Sequence, residues 1–216
     1  MRLPLLAPTA EPETDTPAVR SIGRRGLLAA AGVGTAALVL PVSAEEALAA
    51  PGGWNGPITR AEIISRARSW TAGTEAASVP YSRGRTIAKP DGNVQWRTDC
   101  SGFTSMCLKI RTSANPTGLS TGQLHPSAGF GVLRRIDKAA MRPGDVFLAT
   151  AAELGKPYGH AAIFEAWGPT KGTARIIELT DRPWQGYRGP GYCIRHVVPW
   201  PLGPAFTAYR CVNVRD

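Results

Sequence analysis

"HAAIFEAWGPTKGTARIIELT", His160 to Thr180, decides the fold. Apolar residues recur with a period of two on both sides of a turn-rich centre, Gly168-Pro169-Thr170-Lys171-Gly172. The pattern predicts two antiparallel strands, 160–167 and 174–180. Symmetric pairing about Thr170 sets 160 opposite 180, 162 opposite 178 and 164 opposite 176. Paired residues share a face. His160, Ala162 and Phe164 are therefore expected on the same side as Ile176, Glu178 and Thr180, with Glu178 diagonal to His160. Glu165 falls on the other face, opposite Arg175. A slip of one residue turns Glu178 away.

The same period appears in "DVFLA" (145–149), "YCIRHVVPW" (192–200) and "FTAYRCVNV" (206–214), which brings the expected strands to five. Upstream the period changes. Thr59-Arg60-Ala61-Glu62 is a capping-box pattern. It opens a helix from Arg60 to Trp70, with Ile63, Ile64, Ala67 and Trp70 at helical spacing. A second helix is expected from Cys100 to Ile110, capped by Asp99 or Thr98, with Phe103, Met106, Cys107 and Ile110 as its buried stripe. Segments 72–96 and 111–131 read as loops, and "VLRRIDKAAMRPGD" (132–145) as a short helical turn. With 24 Gly and 19 Pro in 216 residues, an all-helical bundle is disfavoured. Helices followed by a run of antiparallel strands make an α+β arrangement: a helix that starts at Cys100, packed on a five-stranded sheet.

The first fifty residues differ from the rest. Arg24-Arg25 precede an apolar stretch from Leu27 to Leu40, too short for a comfortable membrane span. Small residues follow at Val42-Ser43-Ala44 and Ala47-Leu48-Ala49. This is the layout of an export signal cleaved after Ala44 or Ala49, and "GRRGLL" resembles a twin-arginine signal. Residues 51–216 are then a single exported domain. The whole chain has a formal net charge of +9. Setting aside residues 1–50, with four Arg and five acidic residues, leaves 21 basic and 11 acidic residues, a net +10. A basic exported domain suits an anionic surface such as wall polymers. Nucleic acid is disfavoured, because export removes the chain from it and no basic-aromatic stripe is present. Export also permits disulfides. Cys193 and Cys211 are the candidate pair, since Cys100 and Cys107 lie about 10 Å apart along one helix.

The chemistry centres on "RTDCSGFTSMCL", Arg97 to Leu108. A helix start carries partial positive charge and unpaired amide donors. It stabilises a thiolate and an acyl-transfer oxyanion alike. Cys100 is thus the candidate nucleophile, and Cys107 is expected to pack. A nucleophilic Cys needs a base. Of the three His residues, His125 lies in a loop and His196 inside a strand, where a structural role is expected. His160 opens a strand directly after "GKPYG" and is the candidate base. Glu178, from the hairpin register, is the candidate orienting group. The spacing of Cys100, His160 and Glu178 matches no zinc signature, so neither metal nor cofactor is expected.

"RTDCSGFTSM", "PGDVFL", "GHAAIFEAW" and "IIELT", in that order, resemble the NlpC-like cysteine peptidases of bacterial cell walls. The likeness covers 80–216. It implies a papain-like core and hydrolysis of amide bonds in peptidoglycan stem peptides, often next to D-glutamate and a diamino acid. It implies Cys100 as nucleophile, His160 as base and Glu178 as third member. Tyr81 matches a family tyrosine near the nucleophile. Asp99 and Ser101 match positions that help hold the substrate's polar end. The chain differs in having Glu where the family more often has His, Asn or Gln. It also has "SRGRTIAKPDGNVQWRT" in place of the glycine pair after the tyrosine.

The expected protein is a secreted, monomeric peptidase acting on peptidoglycan or muropeptides. Two alternatives stand beside it: an amidase or acyltransferase using the same residues, and a non-catalytic wall-binding protein with a decayed site.

Overall fold

The computed structural model describes residues 54–72, 77–182, 189–200 and 202–216. The export signal expected within 1–50 lies outside them. The main strands are β1 (Leu133–Arg135), β2 (Val146–Ala149), β3 (His160–Trp167), β4 (Thr173–Thr180), β5 (Tyr192–Pro199) and β6 (Thr207–Cys211), the last five arising from the period-two runs. They form one six-stranded sheet in the order β1-β6-β2-β3-β4-β5, antiparallel throughout. The class is mixed α+β.

The sixth strand corrects the expectation of five. Segment 132–145 holds β1 and then a 3-10 turn at Lys138–Ala140, not a helical turn alone. A three-residue strand shows too little alternation to be read locally; its partner β6 supplies the register, with Leu133 opposite Cys211. The last expected strand is shorter than 206–214. It ends at Cys211, and Val214–Arg215 then pairs in parallel with Ile58–Thr59.

The hairpin register holds at Ile163–Ile177 and Phe164–Ile176, then a bulge at Glu165 shifts it by one, so Ala166 rather than Glu165 faces Arg175. The bulge gives Glu165 room to collect cations. The Glu165 carboxylate accepts from Arg68 Nε at 2.8 Å and Arg195 Nε at 2.6 Å, and lies 3.9 Å from Arg175 Nε.

Both faces of the sheet are covered, which explains the nearly continuous apolar runs in β2 and β3. One face carries Val146, Leu148, Ala161, Ile163, Ile177 and Leu179, packed on two helices. The other carries Phe147, Ala162, Phe164 and Ile176, beneath Trp200, Leu202 and Phe206. The helices are α1 (Arg60–Arg68) and α2 (Cys100–Leu108). Thr59 caps α1 by accepting from the Glu62 amide at 3.1 Å, while the Glu62 carboxylate pairs with Lys109 at the far end of α2. Arg66 of α1 is buried, and its Nε donates to the Met106 carbonyl at 2.8 Å. These contacts pin α1 to the C-terminal end of α2. Every residue of α2 is buried. A helix so enclosed cannot move its N-terminus independently of the sheet.

Cys193 on β5 and Cys211 on β6 cannot form the disulfide considered above. Three strands lie between theirs, a separation of about 19 Å at 4.8 Å per strand. A disulfide tolerates about 7 Å between Cα atoms. All four cysteines are free.

Gly102 is where the fold is tightest at the helix start. A Cβ there would meet the Arg97 carbonyl oxygen at 2.3 Å and the Arg97 Cβ at 2.6 Å. The close neighbour is the chain's own backbone. Gly102→Ala is expected to cost about 1–3 kcal/mol through overpacking. Gly84→Ala, where a Cβ meets nothing within 4 Å, should stay within about 0.5 kcal/mol of the parent. Urea-unfolding midpoints check both, and equal midpoints for the two variants would refute the packing account.

Candidate active site

The α2 N-terminus is built by Asp99. Its Oδ1 accepts from the Gly102 amide at 2.6 Å and the Ser101 hydroxyl at 3.0 Å, and its Oδ2 from Arg97 Nε at 3.0 Å. An acidic cap is worth about 1 kcal/mol and fixes where the helix begins. Arg97 also donates to the Gly118 carbonyl at 2.6 Å and the Leu119 carbonyl at 3.0 Å, fastening the cap to the 118–119 loop. The Phe103 amide bonds the Asp99 carbonyl at 2.9 Å. Cys100 and Ser101 are the first two residues of the helix, so their amides are the ones that point out of it.

Cys100 is 7% exposed. Its thiol donates to the Gly159 carbonyl across 3.8 Å. That contact joins the helix start to the residue before His160. Gly159 permits it: a Cβ there would lie 2.5 Å from Thr121 Oγ1 and 2.6 Å from the Ala149 carbonyl oxygen. His160 is the first residue of β3, paired with Ala149. Its ring feels the Cys100 sulfur electrostatically. Nε2 lies 2.5 Å from Glu178 Oε2, so Nδ1 is the nitrogen left for the sulfur. The edge-to-face ring of Phe206, 6.1 Å away, closes one side.

Glu178 sits where the hairpin arithmetic puts it, diagonal to His160. Its second oxygen, Oε1, lies 2.8 Å from His196 Nε2. His196 on β5 is opposite Ile176, one step diagonal to Glu178. The carboxylate thus bridges two imidazoles. Sequence reasoning assigns His196 a structural role and misses this link. The signal was present in the alternation: His196 shares the face of Ile176 and Glu178 once β4 and β5 are paired.

Burial opposes charge on both members of the pair, and their mutual attraction overrides it. For His160, burial lowers the pKa, but the Glu178 carboxylate and the Cys100 sulfur raise it well above the ordinary value. For Glu178, burial raises the pKa, but His160 and then His196 bring it down to about 2. The pair is therefore imidazolium and carboxylate near neutrality.

Tyr81, Asp99, Cys100 and Ser101 line one open cleft of about 270 Å³, opposite Thr121 and Tyr158. Tyr81 is half-buried. Burial raises its pKa, as does the sulfur of Cys100, while the hydrogen bond from Arg83 lowers it. His125 lies elsewhere, edge-on to Tyr209 and 3.8 Å from Glu153. Glu165 is likewise remote, beneath its arginines. Among the described residues no group of three or more His, Cys, Asp or Glu is placed to hold a metal ion. The arrangement offers a thiol at a helix start, a base, a carboxylate to hold the base, and outward amides for a developing oxyanion.

The ionic pair gives stability a pH window. Glu178 falls from 4.5 to about 2, so its stabilisation is complete above pH 4.5 and is lost as pH drops toward 2. His160 rises well above 6.5, so its stabilisation is complete below pH 6.5 and is lost as pH climbs through the folded value. Glu178→Gln should therefore destabilise most between those two limits, by about 3–5 kcal/mol. The difference from the parent should shrink toward pH 2 and at alkaline pH. A pH-independent difference in urea midpoints would overturn the ion-pair assignment. Alkylation gives a second check. Burial raises the pKa of Cys211 to about 11 and raises those of Cys107 and Cys193 as well. Iodoacetamide at neutral pH should label the folded chain once, at Cys100, and comparable labelling of Cys107 would remove its special status. No protein-family model matches the chain, and no curated protein matches its sequence, so function rests on this geometry.

Proposed function

We propose that the protein is a cysteine peptidase of the NlpC-like type, with a papain-like core, hydrolysing amide bonds in peptidoglycan stem peptides outside the cell. One observation carries the reading: Cys100, at the head of a buried helix, lies 3.8 Å from the carbonyl of Gly159, the residue before His160, and His160 Nε2 is held 2.5 Å from Glu178. Nucleophile, base and orienter in series are the arrangement that thiol acyl transfer requires. The helix bearing Cys100 and the antiparallel sheet bearing His160 support the papain-like assignment. The basic exported domain and the order of the sequence motifs support the cell-wall substrate.

In the proposed reaction the Cys100 sulfur, a thiolate beside the His160 imidazolium, attacks the substrate carbonyl carbon. The Cys100 amide and the Tyr81 hydroxyl donate to the oxyanion. His160 gives its proton to the leaving nitrogen as the C–N bond breaks, leaving a thioester. His160 then takes a proton from water, whose oxygen attacks the thioester. The sulfur leaves as the thiolate, the acid is released, and His160 keeps the proton, which restores the starting pair. Glu178 stays ionised throughout and keeps His160 in place.

Purified peptidoglycan tests the reading. The parent chain should release new amino and carboxyl termini, visible by mass spectrometry of the muropeptides. Cys100→Ala should lower the rate by at least about 10³-fold while leaving the fold intact. Continued cleavage by Cys100→Ala, or none by the parent, would remove the peptidase reading.

A further inference from the structure

The cleft at Cys100 has two rims. One is the loop after Tyr81, and its base is tied down. The Tyr81 amide donates to the Gly191 carbonyl at 2.7 Å, the Ser82 amide to the Thr98 carbonyl at 2.7 Å, and the Thr98 amide to the Arg85 carbonyl at 3.0 Å. Between these anchors Arg83 and Gly84 form an exposed tip. The other rim is the segment before His160. Gly155, in the left-handed region at φ 60°, ends the short helix Ala151–Leu154. Lys156, Pro157 and Tyr158 follow, all exposed, and Gly159 then packs against Thr121 and Ala149.

Arg83 and Tyr158 join these rims. The Arg83 guanidinium carbon lies 3.3 Å from the centre of the Tyr158 ring. Its Nε donates to Tyr81 Oη at 3.3 Å. Tyr81, Arg83, Tyr158 and Gly159 line the same cleft as Cys100, and Gly159 is the residue whose carbonyl the sulfur meets. The tie therefore crosses the cleft at its reacting end.

Space at the site is short. Cys100 is 7% exposed. The cleft holds about 270 Å³, below the range of about 300–1,000 Å³ for pockets that take drug-sized ligands. A peptide segment needs more room. The α2 side cannot give it, because every residue of that helix is buried. The exposed rim tips can. What joins them is a cation over a ring near solvent, a contact weak enough to break and re-form.

We propose that Arg83 and Tyr158 form a strap across the mouth of the cleft that filters by size: small molecules pass it closed, and it parts before a broader chain reaches Cys100. The strap governs access to the sulfur, so it stands or falls separately from the peptidase reading.

The test uses the full chain and two neutral maleimides of equal chemistry and unequal breadth, N-ethylmaleimide and N-(1-pyrenyl)maleimide. Each rate at Cys100 is divided by the rate of the same reagent with glutathione, and the pyrenyl-to-ethyl ratio is compared among variants. In Tyr158→Ala and in Arg83→Ala the ratio should rise at least about fivefold over the parent, the change in open population expected from losing one cation–π contact. Tyr158→Phe keeps the ring face and should stay within about twofold of the parent. Arg83→Ala removes a positive charge near the sulfur and Tyr158→Ala does not, so a rise in both is not an effect of charge. Both side chains are exposed, and unchanged far-UV circular dichroism checks that the variants fold. An unchanged ratio in Tyr158→Ala, even where both rates rise together, overturns the strap and leaves the peptidase reading standing. A rise confined to one of the two alanine variants also overturns it, since the tie needs both partners. So does failure of the pyrenyl reagent to reach Cys100 in either variant. A raised ratio in both, with no cleavage of peptidoglycan by the parent, supports the strap and removes the peptidase.

Discussion

The site depends on one carboxylate. Glu178 is 8% exposed, and an ionised acid so enclosed is costly unless its oxygens find donors. Each oxygen has an imidazole: His160 on one side at 2.5 Å, His196 on the other at 2.8 Å. The two histidines come from β3 and β5, the strands on either side of β4, so the carboxylate sits between them as a cross-strand clasp. Its geometry fixes the His160 ring, and the His160 ring fixes where a thiol must be to use it. A carboxylate in this position needs more support than a neutral amide would. His196 supplies the second donor that a glutamine or asparagine there would not require.

The other half of the constraint is the head of α2. Two glycines set it, for different reasons. Gly102 lets the helix start press against the Arg97 backbone, and Gly159 lets β3 begin against Thr121 and Ala149. Through these contacts the Cys100 sulfur reaches the Gly159 carbonyl at 3.8 Å, one residue from the base. The short polar loops contribute closeness, and the buried helix contributes rigidity. Neither alone brings sulfur and imidazole together.

Much of this is legible in the sequence because it follows from periods. The alternation in 160–180 gives both strands, and the symmetric turn gives a register correct through Phe164 and Ile176. That is enough to put Glu178 on the face of His160. Asp99 as helix cap and Thr59 as helix cap follow from side-chain chemistry. What fails is non-local. β1 is too short to announce itself and exists through its pairing with β6. The bulge at Glu165 owes its form to three arginines far apart in sequence. His196 lies in a recognised strand, but its role needs the β4–β5 register, which the eleven residues between Thr180 and Tyr192 do not fix by symmetry of sequence. The Cys193–Cys211 pairing fails because sequence proximity of strands says nothing of their order across a sheet.

Charge shows the same difference between composition and placement. In the sequence the excess of arginine is a single number, open to readings from solubility to polymer affinity. In the fold many of those cations have specific acids. Arg60 and Arg210 hold the buried Asp145, Arg66 holds Asp91, Arg68 and Arg195 hold Glu165, and Arg97 holds Asp99. Charges paired in this way fix loops and strand ends and contribute little field at a distance, since each is neutralised within a few ångströms. What stays outside these pairs is the remainder. At the cleft that remainder includes Arg83, set against Tyr81 and Tyr158. Which cations the fold leaves unpaired is thus a matter of placement, and the total over the chain does not reveal it.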